Sequence, residues 1–206
     1  IKTKKMIKNF LIIDCTGKND FISLKINNRF FIKKLQTNLI KNEVLALEIF
    51  NFFKEYKVEI DANFEIFINS GPGSFSGIRI SLAVAKGLQL VKKIKIFSYN
   101  SFLLCAAPYL IKKKNIISIQ KTNNYYYSSK GSFNKIYSFT SPKKIDLINL
   151  RNNELIVVPY ELMSDEIIKN IDPNVILKAE FNPKNIDILI KENLLENKLI
   201  KPLYLS

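Results

Sequence analysis

The sequence has no histidine and no tryptophan, and only two cysteines and two methionines in 206 residues. Without histidine, the usual general base near neutral pH and the commonest metal ligand are both missing. A Ser-His-Asp or Cys-His nucleophilic centre is therefore excluded. The cysteines, Cys15 and Cys105, sit in apolar surroundings at no metal-ligand spacing, which is expected of a reduced, cytoplasmic protein. No close cluster of carboxylates suggests a metal site of the acidic kind either, so no metal is expected on this chain. Long apolar runs are also lacking. No segment approaches the roughly 18 to 20 apolar residues that a membrane span needs, and no membrane association is expected. The basic start Ile1-Lys2-Thr3-Lys4-Lys5 leads into a strand-like segment rather than a secretory signal, and reads as an extension upstream of a start at Met6.

Negative charge is scarce. Eighteen acidic residues stand against 32 basic ones, a formal net charge of +14. Such an excess fits a polyanion partner such as RNA. Arginine, the better ligand for phosphates and bases, occurs only at Arg29, Arg79 and Arg151. The lysines are spread along the chain amid many isoleucines and asparagines, as codon bias would also produce. Runs such as Lys92-Lys93 and Lys112-Lys113-Lys114 suit helix ends and solvated loops.

Glycine is scarce as well, and four of the six glycines fall in one segment. It begins at Asn69-Ser70-Gly71-Pro72-Gly73-Ser74-Phe75-Ser76-Gly77-Ile78-Arg79 and continues through Ala83 to Gly87-Leu88. An apolar run, Phe64 to Asn69, precedes it as a buried strand, and helical periodicity over Ser76 to Val91 follows. Strand, glycine-rich turn and helix start leave backbone N–H groups unpaired at the turn. The spacing matches neither a P-loop nor the dinucleotide fingerprint. Two readings stand at this point: a ligand or partner site, or a tight connection with close packing.

Organisation along the chain adds context. Strands are expected at Lys8 to Asp14, Phe21 to Ile26 and Phe30 to Leu35, with a hairpin turn at Asn27-Asn28. A helix over Leu39 to Tyr56 carries apolar residues on more than one face, which implies a second buried surface beyond the core. A strand at Lys95 to Ser98 completes the order βββαβαβ. The second half is expected to hold a helix over Phe102 to Leu110 and strands at Ile116 to Gln120, Tyr125 to Ser129, Lys135 to Thr140 and Leu155 to Pro159. Helices are expected at Lys143 to Leu150, Asp165 to Asn170 and Ile186 to Asn197. The run Tyr125-Tyr126-Tyr127 could offer stacking surfaces to bases, but alternation along a strand makes half-buried tyrosines the plainer reading.

The glycine-rich segment resembles the signature of the bacterial TsaB (YeaZ) family, Gly-Pro-Gly-Ser-Phe-Thr-Gly-Leu-Arg, with Ser76 and Ile78 as departures. Leu11-Ile12-Ile13-Asp14-Cys15-Thr16 resembles the family's opening strand and turn, and Lys201-Pro202-Leu203-Tyr204-Leu205 its closing Pro-x-Tyr-Leu. The likeness is thin between Ile111 and Ile200. The resemblance implies an α/β chain of the actin-like ATPase (ASKHA, ribonuclease H-like) fold: two lobes, each a mixed sheet flanked by helices, the second reduced. Residues 6–100 would form the first lobe and 101–206 the second, with the last residues returning to the first. It further implies a non-catalytic subunit in the formation of threonylcarbamoyladenosine at position 37 of tRNA.

By the same resemblance the chain would pair with a TsaD-type catalytic subunit, be joined by a TsaE-type P-loop ATPase, and meet tRNA through the complex. A homodimer would form when that partner is absent. ATP and metal would belong to the partner subunits, with no cofactor bound by this chain alone. The helices over Leu39 to Tyr56 and Ser76 to Val91 would carry the contact, and the positions taken over are Gly71, Pro72, Gly73, Ser74, Phe75, Ser76, Gly77, Arg79, Ala83 and Gly87. Asp14 and Thr16 stand where an actin-like ATPase places its first phosphate loop, and would be a vestige of it; an aspartate that ends a strand and caps a turn is the plainer reading. The second such loop would fall at Gln120-Lys121-Thr122-Asn123, where the family often keeps an aspartate, and the glycine-rich adenosine loop is missing. A degenerate ATP-binding phosphotransferase and a lysine-rich tRNA-docking module are the two alternatives.

Overall fold

A computed structural model describes residues 9–17, 20–36, 42–61, 63–111, 114–122, 124–145, 154–197 and 200–205. The expected Met6 start, Lys112-Lys113, Asn123 and Arg151 lie outside the described residues. The chain divides into two compact units, the first running to Tyr99 and taking in Glu196–Tyr204, the second running from Asn100 to Leu195.

The first unit contains β1 (Phe10–Asp14), β2 (Phe21–Ile26), β3 (Arg29–Lys34), α1 (Asn42–Glu55), β4 (Glu65–Asn69), α2 (Phe75–Lys92) and β5 (Lys95–Tyr99). The three opening strands form an antiparallel meander because Asn27 and Asn28 both adopt positive φ, 48° and 66°. Asparagine tolerates that left-handed region better than most residues, and two in succession match the twist of a two-residue hairpin. β4 and β5 then join in parallel, giving the strand order β3-β2-β1-β4-β5. Alternate residues of the sheet, among them Leu11, Ile13, Ile22, Leu24, Ile66 and Ile68, point at Leu45, Ile49 and Phe52 of α1 and Ala85 of α2. β1 and β4, at the centre of the sheet, are buried along their whole lengths. Glu196 pairs with Ser98 through both backbone bonds, 2.7 and 3.0 Å, so the chain returns late to close the β5 edge.

In the second unit α3 (Ser101–Leu110) leads to β6 (Ile116–Thr122), β7 (Tyr125–Asn134), β8 (Ile136–Phe139), β9 (Lys143–Ile145), β10 (Leu155–Pro159), α4 (Glu166–Lys169), β11 (Ile176–Ala179) and α5 (Ile186–Lys191). The sheet order β8-β7-β6-β10-β11 repeats the first unit's pattern of third, second, first, fourth and fifth strand. Its connections are shorter: the 18-residue α2 of the first unit corresponds here to the four-residue α4 with single helical turns beside it. This is the reduced copy that the sequence implies.

Three expectations are corrected. Lys143 to Ile145 form a strand on β7, not the start of a helix, and residues 146–150 lie outside the described chain. The helix expected over Ile186 to Asn197 ends at Lys191. Asn193 takes φ 57° and the Leu194 N–H bonds back to Leu189 O at 3.0 Å, which closes the helix end with a left-handed residue. Third, β6 continues through Gln120, Lys121 and Thr122, so the supposed phosphate turn there is strand.

Candidate functional site

The glycine-rich segment is assembled from three distant stretches of the first unit. Asp14, at the end of β1, is 2% exposed. One carboxylate oxygen accepts the Thr16 hydroxyl at 2.7 Å and the Thr16 N–H at 3.2 Å. The other accepts Asn69 Nδ2 at 2.8 Å and the Tyr99 hydroxyl at 3.1 Å. Burial raises the carboxyl above its ordinary value, and the bonds from Thr16, Asn69 and Tyr99 oppose that rise. Tyr99 keeps its proton, since burial and the neighbouring Asp14 hold its hydroxyl well above the usual range. Asp14 thus joins the ends of β1, β4 and β5, and its oxygens are directed inward. That is the bracing role of a strand-end aspartate. Sequence reasoning gives Asn69 and Tyr99 no such part; the signal available is a hydrogen-bonding residue at the last position of each of two strands.

The turn itself is laid over the segment that follows β1. Asn69 Oδ1 accepts the Gly71 N–H at 3.0 Å, and Ser74 N–H donates to Thr16 O at 2.8 Å. A Cβ on Gly73 would lie 1.9 Å from Thr16 O, and one on Gly77 would lie 1.9 Å from Cys15 O. Only glycine permits so close an approach between backbones. Ser74 caps α2, its hydroxyl accepting the Gly77 N–H at 3.2 Å, a bond of the kind worth about 1 kcal/mol. The tail closes the arrangement, with Leu203 N–H on Ser70 O at 2.7 Å. The ring of Tyr204 lies 4.7 Å from that of Phe75. Arg79, one turn further, sets its guanidinium carbon 3.8 Å from the Phe75 ring centre. Gly71, Pro72 and Gly77 are buried, whereas Gly73, Ser74, Phe75, Ser76 and Arg79 are exposed.

Two further buried groups flank this segment. Burial pushes Cys15 up to about 12, so it remains a thiol. Asp20, 3% exposed, accepts the Gly17 N–H at 2.9 Å. Burial pushes it up to about 6, with the Gly17 bond opposing and the charge of Asp14 adding to the rise.

The same helix presents a second face. Ala83 and Gly87 are exposed, and nothing lies within 4 Å of where a Gly87 side chain would start. Beside them runs a groove of about 1240 Å³ between α1 and α2, with Ile49, Phe50, Phe53, Val84, Leu88 and Val91 along it. Phe50 is 63% exposed and Val91 77% exposed. With Leu47 also outward, α1 carries two apolar faces, and the one away from the core is left uncovered by the described residues. The sequence-predicted positions therefore separate: Gly71 to Gly77 join Asp14 and Thr16, Gly87 lines the groove, and Ala83 is exposed one turn before it without lining it.

In the second unit Gln120 points its amide at Ser101 O and Cys105 Sγ, both at 3.4 Å. Of the three tyrosines, Tyr126 and Tyr127 are buried and Tyr125 is half-exposed beneath Lys144. The Tyr126 hydroxyl and Lys121 both bond Asp165, which holds that carboxyl below its usual range. The run is core and hairpin surface rather than a continuous stacking platform. Among the described residues no group of three or more acidic, cysteine or histidine side chains could hold a metal, and no helix is long and apolar enough to cross a membrane.

No family model matches the chain. A curated protein of Buchnera aphidicola subsp. Baizongia pistaciae (strain Bp), described as tRNA threonylcarbamoyladenosine biosynthesis protein TsaB, is 30% identical over 140 residues. That match covers 64% of this chain and 62% of that protein, so it spans less than two thirds of the relative's length. Among solved structures, an uncharacterized protein with similarity to peptidase YEAZ from Pseudomonas aeruginosa aligns over 97% of this chain and 100% of its own, with TM-score 0.69 at 12% identity. YeaZ from Pseudomonas aeruginosa aligns over 94% and 99%, with TM-score 0.67 at 13% identity. These two likenesses give the fold, two mixed sheets flanked by helices in the actin-like, ribonuclease H-like arrangement. With the glycine-rich motif and the 140-residue sequence match beside that fold, the chain is similar to TsaB in sequence and to YeaZ in fold.

Proposed function

We propose that this chain serves the formation of threonylcarbamoyladenosine at position 37 of tRNA as an accessory subunit that acts by assembly. Its part is to dock a TsaD-type catalytic subunit against the α1–α2 face, with a TsaE-type ATPase joining and tRNA engaged through the complex. Nucleotide and metal chemistry belong to those partners, in the cytoplasm. The observation that carries this reading is the uncovered apolar groove bearing Phe50, Leu88 and Val91. Apolar surface of that kind marks an interaction site in a folded domain. The inward-directed oxygens of Asp14 support the same reading, because they brace strands instead of facing a phosphate.

The test is reconstitution of tRNA modification from the TsaD-type and TsaE-type subunits of the same organism, with parent chain or Phe50→Glu. The parent is expected to support modification. Phe50→Glu should reduce it at least about tenfold, since a charge buried without a partner in an interface is strongly unfavourable. Full activity with the variant, or activity without the chain, would remove the docking role. ATP binding by the isolated chain that Asp14→Ala abolishes would argue for a phosphotransferase instead.

A further inference from the structure

Acidic residues avoid a long middle stretch of this chain. Between Glu65 and Asp146 there is none, while 12 lysines and Arg79 lie in the same 80 residues. Codon bias scatters lysine, but it gives no reason for 18 acidic residues to leave that stretch empty. Charge asymmetry of this kind points to a polyanion partner. In the second unit the stretch builds β6 to β9, with exposed lysines at Lys114, Lys121, Lys130, Lys135, Lys143 and Lys144. Lys121 is balanced by Asp165 at 2.8 Å and Lys130 by Glu154 at 3.0 Å. The other four meet no carboxylate among the described residues. They follow one border of the sheet. β8 and β9 both pair with β7 on the side away from β6. Lys143 and Lys144 stand opposite Ser128 and Tyr127, and Lys135 makes the β7–β8 turn at φ 63°. From Ser128 to Asn134 the strand runs about 20 Å, at about 3.4 Å per residue. Lys114 joins the turn end, where its carbonyl accepts the Tyr137 hydroxyl at 3.4 Å. Lys144 sets its Nζ 3.2 Å from the centre of the half-exposed Tyr125 ring. Lysine on an edge strand is an ordinary guard against unwanted strand pairing, which accounts for β9. It does not account for Lys114, which precedes an interior strand paired with β7 and β10, nor for the use of one sign of charge throughout.

We propose that this lysine border of the second sheet is a contact surface for RNA, following the phosphate backbone of the tRNA to be modified. The proposal rests on the reading that the chain serves tRNA modification, and it gives the second unit a part of its own in that work. Lysine meets a phosphate as a point charge, whereas reading a base calls for the planar guanidinium, and residues 100–145 contain no arginine. The contact therefore places RNA without selecting its sequence. A border of about 20 Å follows several phosphates of one strand. Ser132, Asn134 and Ser138, all exposed, add hydrogen-bonding side chains between the cations. An anionic membrane fits less well, because it calls for apolar anchors, and Ile136 is the one exposed aliphatic side chain among the described residues of β7 to β9.

The experiment is fluorescence anisotropy of a labelled, unmodified tRNA transcript titrated with the full chain from about 50 to 300 mM KCl. The parent is compared with Lys114→Gln/Lys135→Gln/Lys143→Gln/Lys144→Gln. A charge-matched control, Lys169→Gln/Lys178→Gln/Lys184→Gln/Lys191→Gln, neutralises exposed lysines elsewhere in the second unit. Affinity of the parent should fall as salt rises. The border variant should bind about tenfold or more weakly at low salt, with a log–log salt slope shallower by about 3, and the control should stay within about twofold of the parent. Each half of the border variant, Lys114→Gln/Lys135→Gln or Lys143→Gln/Lys144→Gln, should show about half that change in slope, which decides the matter if circular dichroism finds the full variant unfolded. Equal losses in border variant and control would reduce the effect to net charge and overturn the proposal. Parent binding that is absent, or unmoved by the border variant, would overturn it too. So would border-dependent binding to vesicles of phosphatidylcholine and phosphatidylglycerol with none to tRNA. Sedimentation with the TsaD-type subunit separates the two readings. A parent that assembles but fails these tests loses the RNA surface and keeps the accessory role. A parent that binds tRNA through its border but neither assembles nor supports modification loses that role and keeps the RNA surface.

Discussion

With both carboxylate oxygens of Asp14 engaged by Thr16, Asn69 and Tyr99, the packing of single residues determines how the glycine-rich turn works. Gly73 and Gly77 each turn the side on which a Cβ would sit against backbone of the strand-end segment. They therefore belong to the architecture of the first unit, and their replacement perturbs the unit before it perturbs any partner. Gly77→Ala is expected to cost on the order of 2–4 kcal/mol in chemical denaturation, because its Cβ would meet the fixed Cys15 carbonyl. Stability equal to the parent would show that the segment yields. Asp20 gives a pH signature. Its folded value of about 6 exceeds the ordinary 3.8, so the folded state holds the proton more tightly. Its contribution is complete below the ordinary value and is lost as pH rises through about 6. A tenfold change in proton affinity corresponds to about 1.4 kcal/mol, and solvent beside the exposed Gly17 screens part of the effect. Between pH 4 and 7 the parent should therefore lose roughly 1–2 kcal/mol that Asp20→Asn does not. Denaturation curves at several pH values check this, and parallel slopes for the two proteins would contradict it. At this scale the sequence is half legible. Glycines packed on backbone advertise themselves by rarity, whereas Asn69 and Tyr99 gain their roles only from strands brought side by side.

Among the elements, those defined by local chemistry are legible in the sequence. Phe21 to Ile26 and Leu155 to Pro159 have the expected bounds, the first ended by an Asn-Asn hairpin and the second by proline. The helix expected over Ser76 to Val91 runs from Phe75 to Lys92, capped by Ser74. The errors lie where tertiary contact overrides pattern. The leucines after Lys191 continue a helical rhythm, but Asn193 stops the helix and Glu196 is drawn to the β5 edge. The short β11 escapes the sequence pattern altogether, being only four residues beside β10. The two apolar faces of α1 are legible, and they matter most. Gly87 offers a test of the uncovered one. Gly87→Ala should stabilise the isolated chain by about 0.5–1 kcal/mol, as glycine is a poor helix former and there is room for the methyl. Gly87→Trp should keep the fold, judged by circular dichroism and melting, while blocking the groove to its partner. Unchanged binding by the tryptophan variant would exclude α2 from the interface.

At the scale of the whole chain, two sheets share one strand order, and among the described residues the helices of 14 and 18 residues belong to the first. The net charge of +14 gains a more specific meaning when part of it is located along one border of the second sheet. The chain is organised around a braced strand-end cluster and an uncovered helical face, a division suited to a protein that works by assembly. The most direct measurement is the sedimentation of an equimolar mixture of this chain and the TsaD-type subunit, with Phe50→Glu run in parallel. A heterodimer with the parent that is lost in a folded Phe50→Glu variant is expected. Two separately sedimenting species with the parent, or a variant complex as stable as the parent's, would contradict assembly through the α1–α2 face.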